Sequence, residues 1–157
     1  MSKTQGMTAL LEAWIVTILA ALTDGDGDAV FRTAEVWSWQ FDGNPETLDR
    51  FSPAAFVSYW PADADREGGH DLRETLRFCV LIGLAGKGAG IARVGDATHL
   101  GVSRIRDLVI TALDNQHPGE GFNCDPLFFA GETEVLDSPK RYATELHFHC
   151  HWISQAS

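Results

Sequence analysis

The sequence has few cysteines, few basic side chains and no long uninterrupted apolar run, and each shortage excludes a class of protein. Three cysteines, none of them in a close pair, argue against a secreted disulfide scaffold and favour a reducing, cytoplasmic setting. The apolar run Ala9–Leu22 contains Glu12 and is too short to span a bilayer, and the N-terminal residues lack the pattern of a signal peptide. We therefore expect a protein without membrane association.

Basic side chains are outnumbered by acidic ones, twelve against twenty-two, which gives a net charge of -10. Such a surface repels phosphate backbones and anionic lipid headgroups, so binding to nucleic acid through a basic face is not expected. An acidic wall would instead suit a conduit through which DNA slides without sticking.

The length of 157 residues, with 45% hydrophobic and 22% charged residues, is typical of one globular domain with a sizeable core. We therefore treat residues 1–157 as a single domain. Hydrophobic periodicity predicts a first helix over residues 8–23 and a second over Gly101–Asn115. Alternation of apolar residues predicts strands at Ala29–Phe41, Ala54–Trp60, Arg73–Leu84, Leu127–Leu136 and Tyr142–Ile153.

Loops are predicted between these elements. Asp42–Pro53 contains an Asn-Pro step, Pro61–Asp71 is a polar tip with two glycines, and Ala85–Gly95 is rich in glycine. Consecutive strands without an intervening helix favour an antiparallel or mixed sheet with two main helices packed on one face. The predicted fold class is therefore α+β.

Three histidines alternate along the last predicted strand, which places His147, His149 and His151 on one face of the sheet. Two such histidines can hold Zn²⁺ if further ligands converge from His70, His99, His117 or an acidic side chain. The alternative is a polar face, or an interface with another subunit. A metal-binding protein or metal-dependent enzyme built on this strand remains a second hypothesis, and a small-ligand-binding domain a third.

Other motifs are incomplete. Asp24, Asp26, Asp28 and Glu35 stand at the spacing of EF-hand ligands, but Ala29 occupies the glycine position, and a strand is predicted where the second helix should be. The segment Gly83–Gly90 lacks the Ser or Thr that must follow the lysine of a phosphate-binding loop. No signature of a nucleophilic serine or cysteine occurs. We therefore predict no enzymatic activity and no cofactor.

The order of elements resembles that of the tail terminator (tail completion) proteins of long-tailed bacteriophages, in particular the Mu-like prophage Gp37 family. The matching segments are the N-terminal helix MTALLEAWIVTILAAL, the strands AAFVSYW and LRETLRFCVLIGLAG, the helix GVSRIRDLVITALDN and the last strand ATELHFHCHWI. The resemblance covers nearly the whole chain and rests on the order of the helices and strands and on the general character of their sequences. The head–tail connector proteins of the same viruses share much of this layout and are an alternative.

The resemblance implies a structural subunit that forms a hexameric ring on the end of the tail tube. Such a ring stops tube polymerisation and offers a surface for head joining; its partners would be the tail tube protein and head–tail connector proteins. DNA would pass through it without specific binding, and the protein would occur in the host bacterial cytoplasm and then in the virion tail. Candidate interface residues from loop and strand position are Asp63, Asp65, Arg66, Glu67, His70, Lys87, Arg93, His147, His149 and His151.

Overall fold

A computed structural model describes residues 6–38, 44–60, 64–67, 71–86, 91–96 and 100–155; for residues 64–67, 71–73, 91 and 153–155 the description is confined to the backbone. The elements follow one another along the chain as α1 (Met7–Ala20), β1 (Thr33–Val36), α2 (Thr47–Phe51), β2 (Ala54–Trp60), β3 (Ala64–Glu67), β4 (Asp71–Ala85), α3 (Ile91–Val94), α4 (Val102–Leu113), β5 (Phe128–Asp137) and β6 (Arg141–Gln155).

All described strands belong to one mixed sheet with the order β1-β2-β4-β6-β5, and β3 pairs with β4 beyond the end of β2. The first pair, β1 and β2, is parallel, and every other pair is antiparallel. The centre of the sheet is the long ladder of β4 and β6, which runs from Asp71 opposite Gln155 to Ala85 opposite Arg141. The predicted α+β class is confirmed.

Both long helices pack on the same face of this sheet, which we call the helix face. Residues at three- and four-residue spacing form one apolar stripe on each helix, as the periodicity predicts. From α1 the stripe is Leu11, Ile15 and Leu19, and from α4 it is Ile105, Val109 and Leu113; they pack against Val57, Phe78, Val80, Ile82, Leu146 and Phe148 of the strands. Each large side chain so buried contributes roughly 1.5–3 kcal/mol to folding.

The opposite face is covered at one end by the short helix α2. Leu48 and Phe51 pack over Phe56, and the Phe51 and Phe56 rings meet edge to face with centroids 5.8 Å apart. Gly83 of β4 allows this approach, because a Cβ there would overlap the Leu48 side chain. Arg141 donates from two guanidinium nitrogens to the Asp49 carboxylate at 2.8 Å each, which ties α2 to β6.

Some strands and loops have different boundaries in the structure from those that the sequence predicts. The strand predicted at Ala29–Phe41 begins only at Thr33 and ends at Val36, because Val30 and Phe31 turn into the core before it begins. Residues 39–41 of the predicted strand lie outside the described residues. The predicted loop Asp42–Pro53 contains α2, where Asn44 accepts hydrogen bonds from the Glu46 backbone and the Thr47 hydroxyl. These bonds satisfy groups at the start of the helix that have no partner within it.

Two further predicted loops contain regular structure. The polar tip Pro61–Asp71 includes β3, so the hairpin that ends in β4 is longer than the sequence predicts. The glycine-rich segment Ala85–Gly95 includes α3. Both elements are only four residues long, which is too short for hydrophobic periodicity to reveal them. Within the described ranges, no helix has the length and apolar character needed to cross a membrane.

Candidate functional site

The part of the opposite face that lies beyond α2 carries an unusual set of polar and aromatic side chains. Neighbouring residues on a strand point to opposite faces, so this set alternates with the residues of the core. Among the described residues, no helix packs over it. We call it the open face, and its members are Ser58, Trp60, Thr75, Arg77, Phe128, Thr133, Glu145, His147, His149 and His151.

The centre of the open face is a row of three half-buried histidines on β6, here called the histidine row: His147, His149 and His151. The ladder places them opposite Cys79, Arg77 and Thr75 of β4, in that order. At each end of the histidine row, a threonine hydroxyl lies 3.3 Å from a ring nitrogen. Thr133 contacts Nε2 of His147, and Thr75 contacts Nδ1 of His151.

Aromatic rings flank the row. The Trp60 and His147 centroids are 6.0 Å apart, and Phe128 lies 5.6 Å from His149 and 5.8 Å from His151. Trp60 remains 46% exposed and Phe128 40% exposed, whereas most large apolar side chains of the described core are nearly inaccessible. The open face therefore combines exposed aromatic surface with hydrogen-bonding groups, as the centres of protein interfaces do.

Two ionised side chains lie among these residues, Arg77 and Glu145. They carry opposite charges, so the open face is close to neutral in a molecule of charge -10. Partial burial lowers the pKa of His149, and the positive charges of Arg77 and of the neighbouring histidines lower it further. His149 is therefore uncharged at neutral pH, and its protonation needs a lower pH than that of an ordinary histidine.

Cys79 lies beneath the same face but offers no nucleophile. Its side chain is 3% exposed, and burial together with the adjacent Glu145 raises the pKa of the thiol to about 12. A thiol with that pKa stays protonated near neutral pH, and the thiolate is the reactive form. Burial likewise raises the pKa of Cys150, on the helix face, to about 12.

The histidine row does not gather further metal ligands within the described ranges. No group of three or more His, Cys, Asp or Glu side chains there is arranged to hold a metal ion. His117 is engaged locally, because its Nδ1 accepts from the Gly119 backbone at 2.9 Å while Nε2 lies 2.8 Å from the Cys124 carbonyl oxygen. His70 and His99, the other suggested ligands, lie outside the described residues.

The remaining predicted interface residues are described only in part. Asp63, His70 and Lys87 lie outside the described residues, and the glycine-rich phosphate-loop candidate is described only in part. The backbone of Asp65, Arg66 and Glu67 forms β3, which pairs with Arg73, Leu72 and Asp71 of β4. Arg93 is exposed on α3, where its guanidinium lies 5.9 Å from the Tyr142 ring centroid and 4.0 Å from Asp137. It is thus separate from the histidine row.

A cleft that the sequence did not indicate opens on the helix side, between α3, the start of α4 and the β5–β6 hairpin. It has a volume of about 450 Å³. Arg106 donates to Glu132 at 2.7 Å, and the Tyr142 hydroxyl donates to Glu134 at 2.8 Å. Burial and Glu134 raise the pKa of Tyr142 to about 12. The two carboxylates of the cleft are therefore engaged by Arg106 and Tyr142.

The acidic turn after α1 also has a local explanation. Asp24 accepts hydrogen bonds from the backbone N–H groups of Asp26 and Asp28 at 2.9 and 3.0 Å, as in an Asx turn. Glu35, the last residue of the EF-hand spacing, lies in β1 rather than in a second helix. The segment is therefore a turn that its own carboxylate stabilises.

Comparison with known proteins does not assign the chain to a family. No family model matches it, and no curated protein is significantly similar to it.

Proposed function

We propose that this protein is a structural subunit that assembles into a ring, as the tail terminator of a long-tailed bacteriophage or prophage. It would cap the tail tube, stop its polymerisation and present a surface to the head. The order of the long elements supports this, since α1, β2, β4, α4 and the β5–β6 hairpin follow one another as in the resemblance described above. In this proposal the protein acts in the host cytoplasm during assembly and then in the virion.

The open face is the observation that carries the proposal. A sheet that buries one face under two helices and leaves exposed Trp60 and Phe128 on the other has surface suited to another protein. The Cys79 thiol beneath the face is protonated and therefore offers no nucleophile there. Binding between subunits is the use that these features favour.

The charge of the molecule agrees with a ring around DNA. Carboxylates lining a lumen repel the phosphate backbone, so DNA would pass without being held. A closed ring also requires a heterologous contact, in which one surface of each subunit meets a different surface of the next. A nearly neutral open face and an acidic remainder are two different surfaces of that kind.

Solution mass and electron microscopy test the proposal directly. We expect light scattering of the purified protein at increasing concentration to approach six times the 17.2 kDa chain mass, and negative-stain images to show six-fold rings. A protein that remains monomeric up to about millimolar concentration, where even weak specific contacts are populated, would contradict it.

The two alternatives give different results in the same samples. A head–tail connector would also form rings, but would bind a preformed head portal rather than the end of a tail tube. A metal-binding protein would retain stoichiometric Zn²⁺ after dialysis and lose it on His149→Ala substitution.

A further inference from the structure

We propose that the open face is the surface on which the next copy of this chain docks, and that protonation of the histidine row tightens this contact. The occupant is the acidic surface of a second copy, so the contact is heterologous. The inference rests on the proposed ring and specifies which surface makes the contact and what regulates it.

Charge explains why the occupant would be a second copy. Two molecules of charge -10 repel each other over most of their surfaces. Repulsion is weak at the open face, where Arg77 and Glu145 offset each other among the described side chains. The exposed rings of Trp60 and Phe128 then supply the apolar area that binding requires, and aromatic residues of this kind commonly dominate the energy of an interface.

Charge also explains why the contact would not join two open faces to each other. Among the described side chains, the charged or titratable groups around the histidine row are Arg77 and Cys79 on β4 and Glu145 on β6, whose carboxylate lies 4.0 Å from Nε2 of His147. Asp125 is near the end of the row, where its backbone N–H donates to the His151 carbonyl oxygen. The row is rich in hydrogen-bond donors once it is protonated. Its complement is a surface of carboxylates, and the rest of this chain supplies one.

The pH dependence follows from this arrangement. In the free subunit, partial burial, the Arg77 charge and the two neighbouring histidines oppose protonation of His149, the middle residue of the row. Carboxylates of a docked copy would favour it, so docking takes up protons and strengthens as the pH falls from about 7.5 to about 5.5. Partly exposed ion pairs each contribute up to ~1 kcal/mol, so three histidines give an expected increase in association constant of about tenfold or more.

Sedimentation velocity of the full chain at the two pH values tests the inference. The variants are Phe128→Asp, Trp60→Ser and the triple variant His147→Gln, His149→Gln, His151→Gln. The matched control is Val94→Asp, which places a carboxylate on an exposed apolar residue of α3, away from the open face. Circular dichroism and thermal unfolding of each variant verify that the chain is folded.

We expect Phe128→Asp and Trp60→Ser to weaken association by tenfold or more at both pH values, while Val94→Asp has no effect. The triple variant should associate like the original chain at pH 7.5 and lose the strengthening at pH 5.5. The triple variant is compared with the original chain because the whole protein approaches its isoelectric point of 4.8 on acidification, and this favours association of every variant to a similar extent.

Three results would overturn the inference, and they are distinguishable. Ring formation that tolerates Phe128→Asp and Trp60→Ser would place the contact elsewhere while leaving the proposed function intact. Association that weakens at pH 5.5 and is restored by the triple variant would mean that open faces meet each other. Folded protein that does not associate at either pH would contradict both the inference and the proposed ring.

Discussion

The helix face and the open face of the central sheet are made by the same strands yet differ in burial and in polarity. On the helix face, alternate residues of β4 and β6 such as Phe78 and Phe148 are inaccessible to solvent. One residue along, the open face has Arg77 and His149, both of them polar. The helix face therefore accounts for most of the hydrophobic stability, whereas the open face is largely free to serve binding.

A matched pair of phenylalanine substitutions tests this division most strongly. Phe148 is fully buried on the helix face, so Phe148→Ala should lower the free energy of unfolding by ~3–5 kcal/mol through lost burial and the cavity left behind. Phe128→Ala on the open face should cost less than about 1 kcal/mol. Urea unfolding of the monomer measures both, and similar losses would show that the two faces do not differ in this way.

The end of the opposite face under α2 should behave like core rather than like the open face. Gly83→Ala places a Cβ against Leu48, so we expect a loss of ~1–3 kcal/mol from overpacking. Leu48→Ala should recover part of that loss in the double variant, because the smaller side chain removes the overlap. Denaturant unfolding of the two single variants and the double variant gives the coupling energy, and additive effects would contradict the proposed contact.

The smallest expected effect concerns acid stability. The pKa of His149 is lowered in the folded chain, from an ordinary value of 6.5. The unfolded chain therefore binds a proton at His149 more readily than the folded chain does. The contribution of neutral His149 to the free energy of unfolding is complete above about pH 6.5 and is lost as the pH falls through the folded pKa.

His149→Gln should make the midpoint of thermal unfolding less sensitive to pH between about 7 and 5, with His117→Gln, at an exposed histidine outside the row, as the control. Measurements belong at low protein concentration, so that subunit association does not add its own pH dependence. An unchanged pH profile for His149→Gln would argue against the proposed environment of this side chain.

The sequence predicted the long elements well because their patterns are long. The stripe of Leu11, Ile15 and Leu19 and the alternation around Phe148 each extend over several repeats, so periodicity could identify α1 and β6. The same alternation placed the histidine row on one face. The short elements α2, α3 and β3 were missed, because four or five residues do not display a period.

The neighbours of the histidine row could not be predicted in the same way. Which residue stands opposite His149 depends on the register of β4 and β6, and the approach of Phe128 depends on an irregularity in β5 between Phe129 and Gly131. Register is decided by packing across the whole sheet, which is information that no local pattern contains. The cleft beside Arg106 was missed for the same reason, because Glu132 comes from a distant hairpin.

The uninterrupted ladder of β4 and β6 has a consequence for the way in which the protein can open. Beyond the end of β2, β4 and β6 continue as far as Asp71 and Gln155 without a break, with β3 paired along the outer side of β4. Next to the core, β4 is also paired with β2 and β6 with β5, so neither strand has an unpaired edge from which the ladder could open. Amide protons along β4 and β6 next to the core should accordingly exchange with deuterium only through opening of the entire domain.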